Sequence, residues 1–122
     1  MPSASGLTVP SFATTADMRA NARLGLELRR KFGRGGLGTQ EAGEQGIGSG
    51  VARAASIASG RKIPIETIRR MRGFFARHKR NRQAAGWGSR TNPSAGYIAH
   101  LLWGGTAAER WANRILREYD GE

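Results

Sequence analysis

Between Arg61 and Arg82 the chain places nine Lys or Arg residues against a single acid, Glu66. Those 22 residues hold +8 of a formal net charge of +11. Guanidinium groups fork onto phosphate oxygens in bidentate pairs, and ammonium groups act on them as point charges. A row of such groups on one rigid element neutralises a polyanion and releases its condensed counterions, which gives affinity largely independent of base sequence. Arg69, Arg70, Arg77, Lys79, Arg80 and Arg82 are the candidate phosphate contacts, and one or two of the arginines could read guanine edges. Arg23 and Arg30 add a second positive surface upstream. A solvated helix face ordinarily mixes signs, and nine cations against one acid do not. The expected partner is nucleic acid, with DNA the expected form.

Other chemistry finds little to use. There are two histidines, His78 and His100, and no cysteine. A metal site needs more converging ligands than two histidines and dispersed acids supply. Glu41 and Glu44 are three apart, but they stand in a Gly-rich stretch with no histidine near them. His78 shares an apolar stripe with Phe75 and reads as a core or interface side chain. His100, between Ala99 and Leu101, reads as packed or hydrogen-bonded to a carbonyl. No catalytic residue, metal or cofactor is expected, and the chain reads as non-enzymatic. In GIGSGVARA, glycines precede a helix start, where backbone N–H groups can hold a phosphate. Gly46, Gly48 and Gly50 fit neither the dinucleotide spacing after a strand nor a P-loop, so a turn opening a helix is the better reading. Arg34-Gly-Gly is one copy of an RGG unit, a weak signal for RNA.

The elements that must position these residues are helices. Residues 1–13 read as a flexible arm, and 14–122 as one helical domain interrupted by a Gly-rich loop over 33–50. Thr14, Thr15 and Asp17 are cap candidates for a first helix whose stripe is Ala20, Leu24, Leu28 and Phe32, stopped by Gly33. VARAASIAS predicts a short helix ending at Gly60. Pro64 and Glu66 suit the first turn of a helix over 65–82, with Ile65, Ile68, Met71, Phe75 and His78 spaced 3, 3, 4 and 3. Ser94 caps a short helix carrying Tyr97, Ile98, Leu101 and Leu102. After Gly104–Gly105, Thr106 and Glu109 predict a capping box for a last helix with Ala107 or Ala108, Trp111, Ile115 and Tyr119 on one face. No segment alternates like a strand, so the fold class is all-α, a small bundle of about four to five helices. The 65–82 helix is expected to pack across the last two. Phe74, Phe75, Tyr97, Trp103 and Trp111 would supply most of the core, each burying roughly 150–250 Å². Trp87 lies in the turn-rich connector AAGWGSRTNPS.

A length of 122 residues suits one domain, and 39% hydrophobic residues with 18 glycines suit a modest core beside long irregular stretches. A sequence pI near 11.6 points to nucleic acid, an acidic protein surface or an anionic membrane. The apolar stretch AGYIAHLLWGG is too short to span a bilayer. The first residues lack a charged n-region and a continuous apolar run, so no secretory signal is expected. Absence of cysteine fits a reducing compartment.

Taken in order, GLELRRKFGRGG, GIGSGVARA, PIETIRRMRGFFARH and PSAGYIAHLLWGG followed by RWANRI resemble a small basic module recurrent in tailed-bacteriophage genomes. The likeness covers Leu24 to about Ile115, three quarters of the chain. Members of that module carry a Trp in the segment occupied here by His100, and often an acid where Thr106 stands. The departures bear on local packing and a cap. The resemblance implies a setting in the cytoplasm of an infected bacterium or within the virion. It carries no settled activity and therefore no site residue. It suggests two roles, DNA binding or a head or tail accessory piece of the particle. In the second role the arm and Trp87, Trp103 and Trp111 would contact other particle subunits. An inhibitor that binds an acidic groove of a host protein is a third expectation.

Overall fold

The computed structural model describes residues 9–35 and 50–121. Among them are five α-helices, a short 3₁₀ segment and a two-stranded ribbon, so the all-α expectation holds. Helix α1 runs over Ala16–Phe32. The Thr15 hydroxyl accepts from the Met18 N–H at 3.2 Å, and the Met18 sulfur accepts from the Thr15 N–H at 3.5 Å. Asp17 favours the same end through the helix dipole. At the other end the N–H of Gly33 reaches the Arg29 carbonyl.

The buried face of α1 is Met18, Ala22, Gly25 and Leu28 rather than Ala20, Leu24, Leu28 and Phe32. Steps of 4, 3 and 3 follow the helical period, whereas a residue every four positions drifts by about 40° per step. That drift leaves Ala20 exposed and puts Leu24 and Phe32 at the edge of the core. Gly25 has a steric reason to be glycine. A Cβ there would stand 2.8 Å from the Leu102 nitrogen, so the missing side chain sets how closely α1 approaches α4 (Ala95–Leu102).

Helix α2 spans Gly50–Ala58 and packs on α1, burying Gly50, Ala54 and Ile57. Of the loop expected over 33–50, residues 36–49 lie outside the described residues, and Gly50 already belongs to α2. Helix α3, Ile65–Arg77, packs chiefly on α5, Gly105–Asp120. Helix α4 instead lies mainly against α1. The bundle is therefore α1 with α2 and α4 against it, and an α3–α5 pair, all sharing one core, and α3 does not lie evenly across the α4–α5 pair.

Residues 1–8 of the expected arm are outside the described residues, but the rest of it is attached. Strand β1 (Ser11–Phe12) pairs antiparallel with β2 (Ile63–Pro64), Ser11 opposite Pro64 and Phe12 opposite Ile63. The Pro10 carbonyl accepts from the Ile65 N–H at 2.9 Å, which satisfies one of the donors left free at the start of α3. The Ala13 carbonyl accepts from the Trp111 indole N–H at 3.1 Å. Backbone groups of the arm thus find partners that a loose segment would leave to water.

The capping box expected of Thr106 and Glu109 does not form. Gly104 is the N-cap, with φ 101°, a left-handed conformation that glycine adopts without a Cβ penalty. That turn lets α5 begin at Gly105, and Thr106 and Glu109 take other partners.

The core is mainly aliphatic. Met18, Ile57, Ile63, Ile68, Met71, Ile98, Leu102 and Leu116 are its largest fully enclosed apolar side chains short of Pro93. Of the five aromatics expected to dominate it, Phe75 and Trp111 are buried, while Phe74, Tyr97 and Trp103 pack half-buried against its edge. Small residues in the core, Gly25 at the α1–α4 contact and the fully buried Ala22, Ala108 and Ala112, leave spaces that branched and flexible aliphatic chains fill better than flat rings.

Candidate nucleic-acid interface

Helix α3 buries Ile65, Ile68, Met71 and Phe75, the spacing its sequence predicts. Pro64 stands at its N-cap and Glu66 in its first turn. The remaining circumference carries Arg69, Arg70, Arg72, Ala76 and Arg77. The helix expected over 65–82 is broken. It ends at His78, whose N–H reaches the Phe74 carbonyl at 3.1 Å, and Lys79–Gln83 continues as 3₁₀. The physical cause is in the residues: KRNRQ offers no apolar side chain to extend the buried stripe, and none of the five is buried. Asn81 instead seats on Gly96 of α4, where a Cβ would come within 2.8 Å of the Asn81 Cβ. With three residues per turn, Lys79 and Arg82 share a side.

The structure sorts the eight candidate cations into two groups. Arg69 forks onto Asp120, Nη1 to Oδ2 and Nη2 to Oδ1, both at 2.8 Å. These hydrogen bonds hold the Asp120 carboxyl below its usual range, with the nearby Arg72 charge adding to the effect. Arg82 donates to Glu109 Oε1, and Arg23 donates to the Ala58 carbonyl at 3.2 Å. By contrast Arg70, Arg77, Lys79, Arg80 and Arg30 are exposed and make no side-chain hydrogen bond or ion pair among the described residues. Arg30 and Arg23 sit on α1, whose main neighbours are α2 and α4, so a different helix pair positions them.

The two paired arginines tie the basic segment to α5 at both ends. Arg69–Asp120 joins the second turn of α3 to the last turn of α5, and Arg82–Glu109 joins the end of the 3₁₀ segment to the second turn of α5. Asp120 and Glu109 are consumed in doing so. Between the two ties, the stretch 70–80 presents cations and no acid.

Aromatic rings back this stretch. Phe74 stacks on Trp103 with centroids 4.5 Å apart and planes 6° apart, and His78 lies on Phe74 at 4.6 Å and 44°. Trp87 meets Tyr97 at 5.2 Å and His100 at 4.9 Å. His78 is therefore an exposed ring at a helix end rather than a core residue. Partial burial, then the Arg77 charge, holds its pKa below the ordinary value. His100 is the buried histidine, and its Nε2 sits 3.1 Å from the Thr106 hydroxyl rather than on a carbonyl.

One further cation escapes a reading of charge runs. Arg53 on α2 is half-buried, and its Nε has no hydrogen-bond partner among the described residues. Burial first, and the charge of Arg70 second, pull its pKa down. Its position between Gly50 and Ile57, beside Ala54, places it on the edge of the buried stripe, and that spacing was the available signal. Arg34, by contrast, is committed, donating to Asn92 Oδ1 at 3.2 Å and to the Pro93 carbonyl at 3.0 Å. Among the described residues no three His, Asp or Glu side chains gather as a metal site, and no helix is long and apolar enough to cross a membrane. No family model matches this chain, nor does any curated protein or solved structure.

Proposed function

We propose that this chain is a non-enzymatic nucleic-acid-binding protein, with DNA the expected partner, that grips phosphates through Arg70, Arg77, Lys79 and Arg80. The observation that carries the reading is the partition of charge on one element. Asp120 and Glu109 are spent on Arg69 and Arg82, Glu66 is the one acid on the segment itself, and the four exposed cations between those ties form no ion pair among the described residues. Like charges held together without counterions raise the local potential, and a phosphate chain lowers it while releasing its own ions. Arg69 and Arg82 act on this reading as positioning residues. On the phage resemblance the setting is an infected bacterial cytoplasm or the particle itself.

The reading separates a site from mere net charge. An R70A/R77A/K79A/R80A variant removes four charges from the segment, and an R90A/R110A/R114A/R117A variant removes four exposed charges elsewhere. In a fluorescence-anisotropy titration at low salt, the first is expected to weaken binding by a factor of ten or more across unrelated sequences, about the size of several lost phosphate contacts. The second is expected to keep most of the affinity. Equal weakening by both would remove the site. A contact with other particle proteins, or with an acidic surface of a host protein, would then be the better account of the charge.

A further inference from the structure

Resting on that reading, we infer that the ligand of this face is single-stranded nucleic acid, one of whose unpaired bases stacks on the exposed face of the His78 ring. Phe74 and His78 are four residues apart at the end of α3 and so lie one above the other on the same side. Trp103, the residue that closes α4, lies under Phe74 in a nearly parallel stack. The three rings form a run of contacts from half-buried Trp103 through Phe74 to the exposed residue His78, whose ring is tilted 44° to Phe74. Phe75, next along the chain, is buried in the core and meets Phe74 edge-on at 79°, so the middle ring is held by packing. A platform already held in place needs little ordering when a base arrives.

Charge surrounds the open end. Arg77 precedes His78, and Lys79 and Arg80 follow it, all exposed and without internal partners among the described residues. A stacking ring set among phosphate-binding cations is the arrangement by which proteins hold single strands with little sequence preference. In a duplex each base face is covered by its neighbour, so a surface ring gains a stack only after one is broken. An unpaired strand offers its faces freely. Partial burial and then the Arg77 charge disfavour protonation of His78, which favours the uncharged aromatic ring over a further cation.

The test uses the full chain and four labelled ligands of equal phosphate number: a thymidine DNA strand, a uridine RNA strand, an abasic DNA strand and a DNA duplex. The intact protein is expected to bind one or both base-bearing strands about tenfold more tightly than the abasic strand, the scale of one base–aromatic stack. The stronger of the two identifies the preferred sugar. H78A should lose that advantage, and H78F should restore it, which a merely structural role at the end of α3 would not do. Equal binding of abasic and base-bearing strands, or an unchanged preference in H78A, would overturn the inference. If affinity for all four still depended on Arg70, Arg77, Lys79 and Arg80, the phosphate reading would survive that failure. No binding to any of the four would remove both.

Discussion

Acidification from pH 7 to pH 4 is expected to cost the fold about 3 kcal/mol through His100 alone. Its pKa is pushed down to about 4, first by burial and then by the charge of Arg82, with Glu109 opposing. The Phe75 and Trp87 rings flank the imidazole at 5.3 and 4.9 Å, and its Nε2 meets the Thr106 hydroxyl. A histidine in the unfolded chain titrates near 6.5. Above that value both states are neutral and the titration of His100 leaves stability unchanged. Below it the unfolded chain takes up a proton that the folded chain refuses, so stability falls as pH drops through 6.5 and levels off only below about 4. His78, depressed in the same direction, adds to the trend. Asp120 acts lower, since its carboxyl is held below the usual range by Arg69 and loses that contribution only as it protonates. Urea unfolding at pH 7, 5.5 and 4 reads the slope. H100Q should flatten most of it, and an unchanged slope in that variant would place the acid sensitivity elsewhere.

The second large effect is expected at Trp111. Trp111→Ala should lower stability by about 3–5 kcal/mol, the range for losing a large buried aromatic. A small domain has on the order of 5–15 kcal/mol in total. The ring is 2% exposed within the core, and its N–H holds the Ala13 carbonyl. That bond anchors the segment from Pro10 to Ala13, which pairs with Ile63 and Pro64 and supplies a carbonyl to the first turn of α3. Trp111→Phe keeps most of the apolar area and loses the donor, so about 1–2 kcal/mol is expected from it. Denaturant midpoints give both values. A loss under about 1 kcal/mol for the Ala variant would contradict the central place assigned to this ring.

Local chemistry was legible in the sequence and distant pairing was not. Thr15, Gly33, Ser94 and Gly104 mark helix ends because a cap is a short-range hydrogen bond or a backbone conformation. The stripe Ile65, Ile68, Met71 and Phe75 appears where its spacing predicts. Thr106 and Glu109 mislead because a capping box competes with partners outside the segment, His100 and Arg82. The docking of Pro10–Ala13 depends on Ile63, Ile65 and Trp111, and nothing local announces it. The candidate site divides the same way. A run of cations can be read directly, but which of them are neutralised depends on Asp120 and Glu109, 51 and 27 positions away from Arg69 and Arg82.

The central claim, that this charge meets a phosphate chain, is tested most directly by the salt dependence of binding. The purified protein would be titrated against duplex and single-stranded DNA at several salt concentrations between about 50 and 200 mM. Four to five phosphate contacts predict that log K falls against log salt with a slope of about −4 for duplex and about −3 for a single strand. A slope near zero on both, or no measurable binding at the lowest salt, would contradict the account.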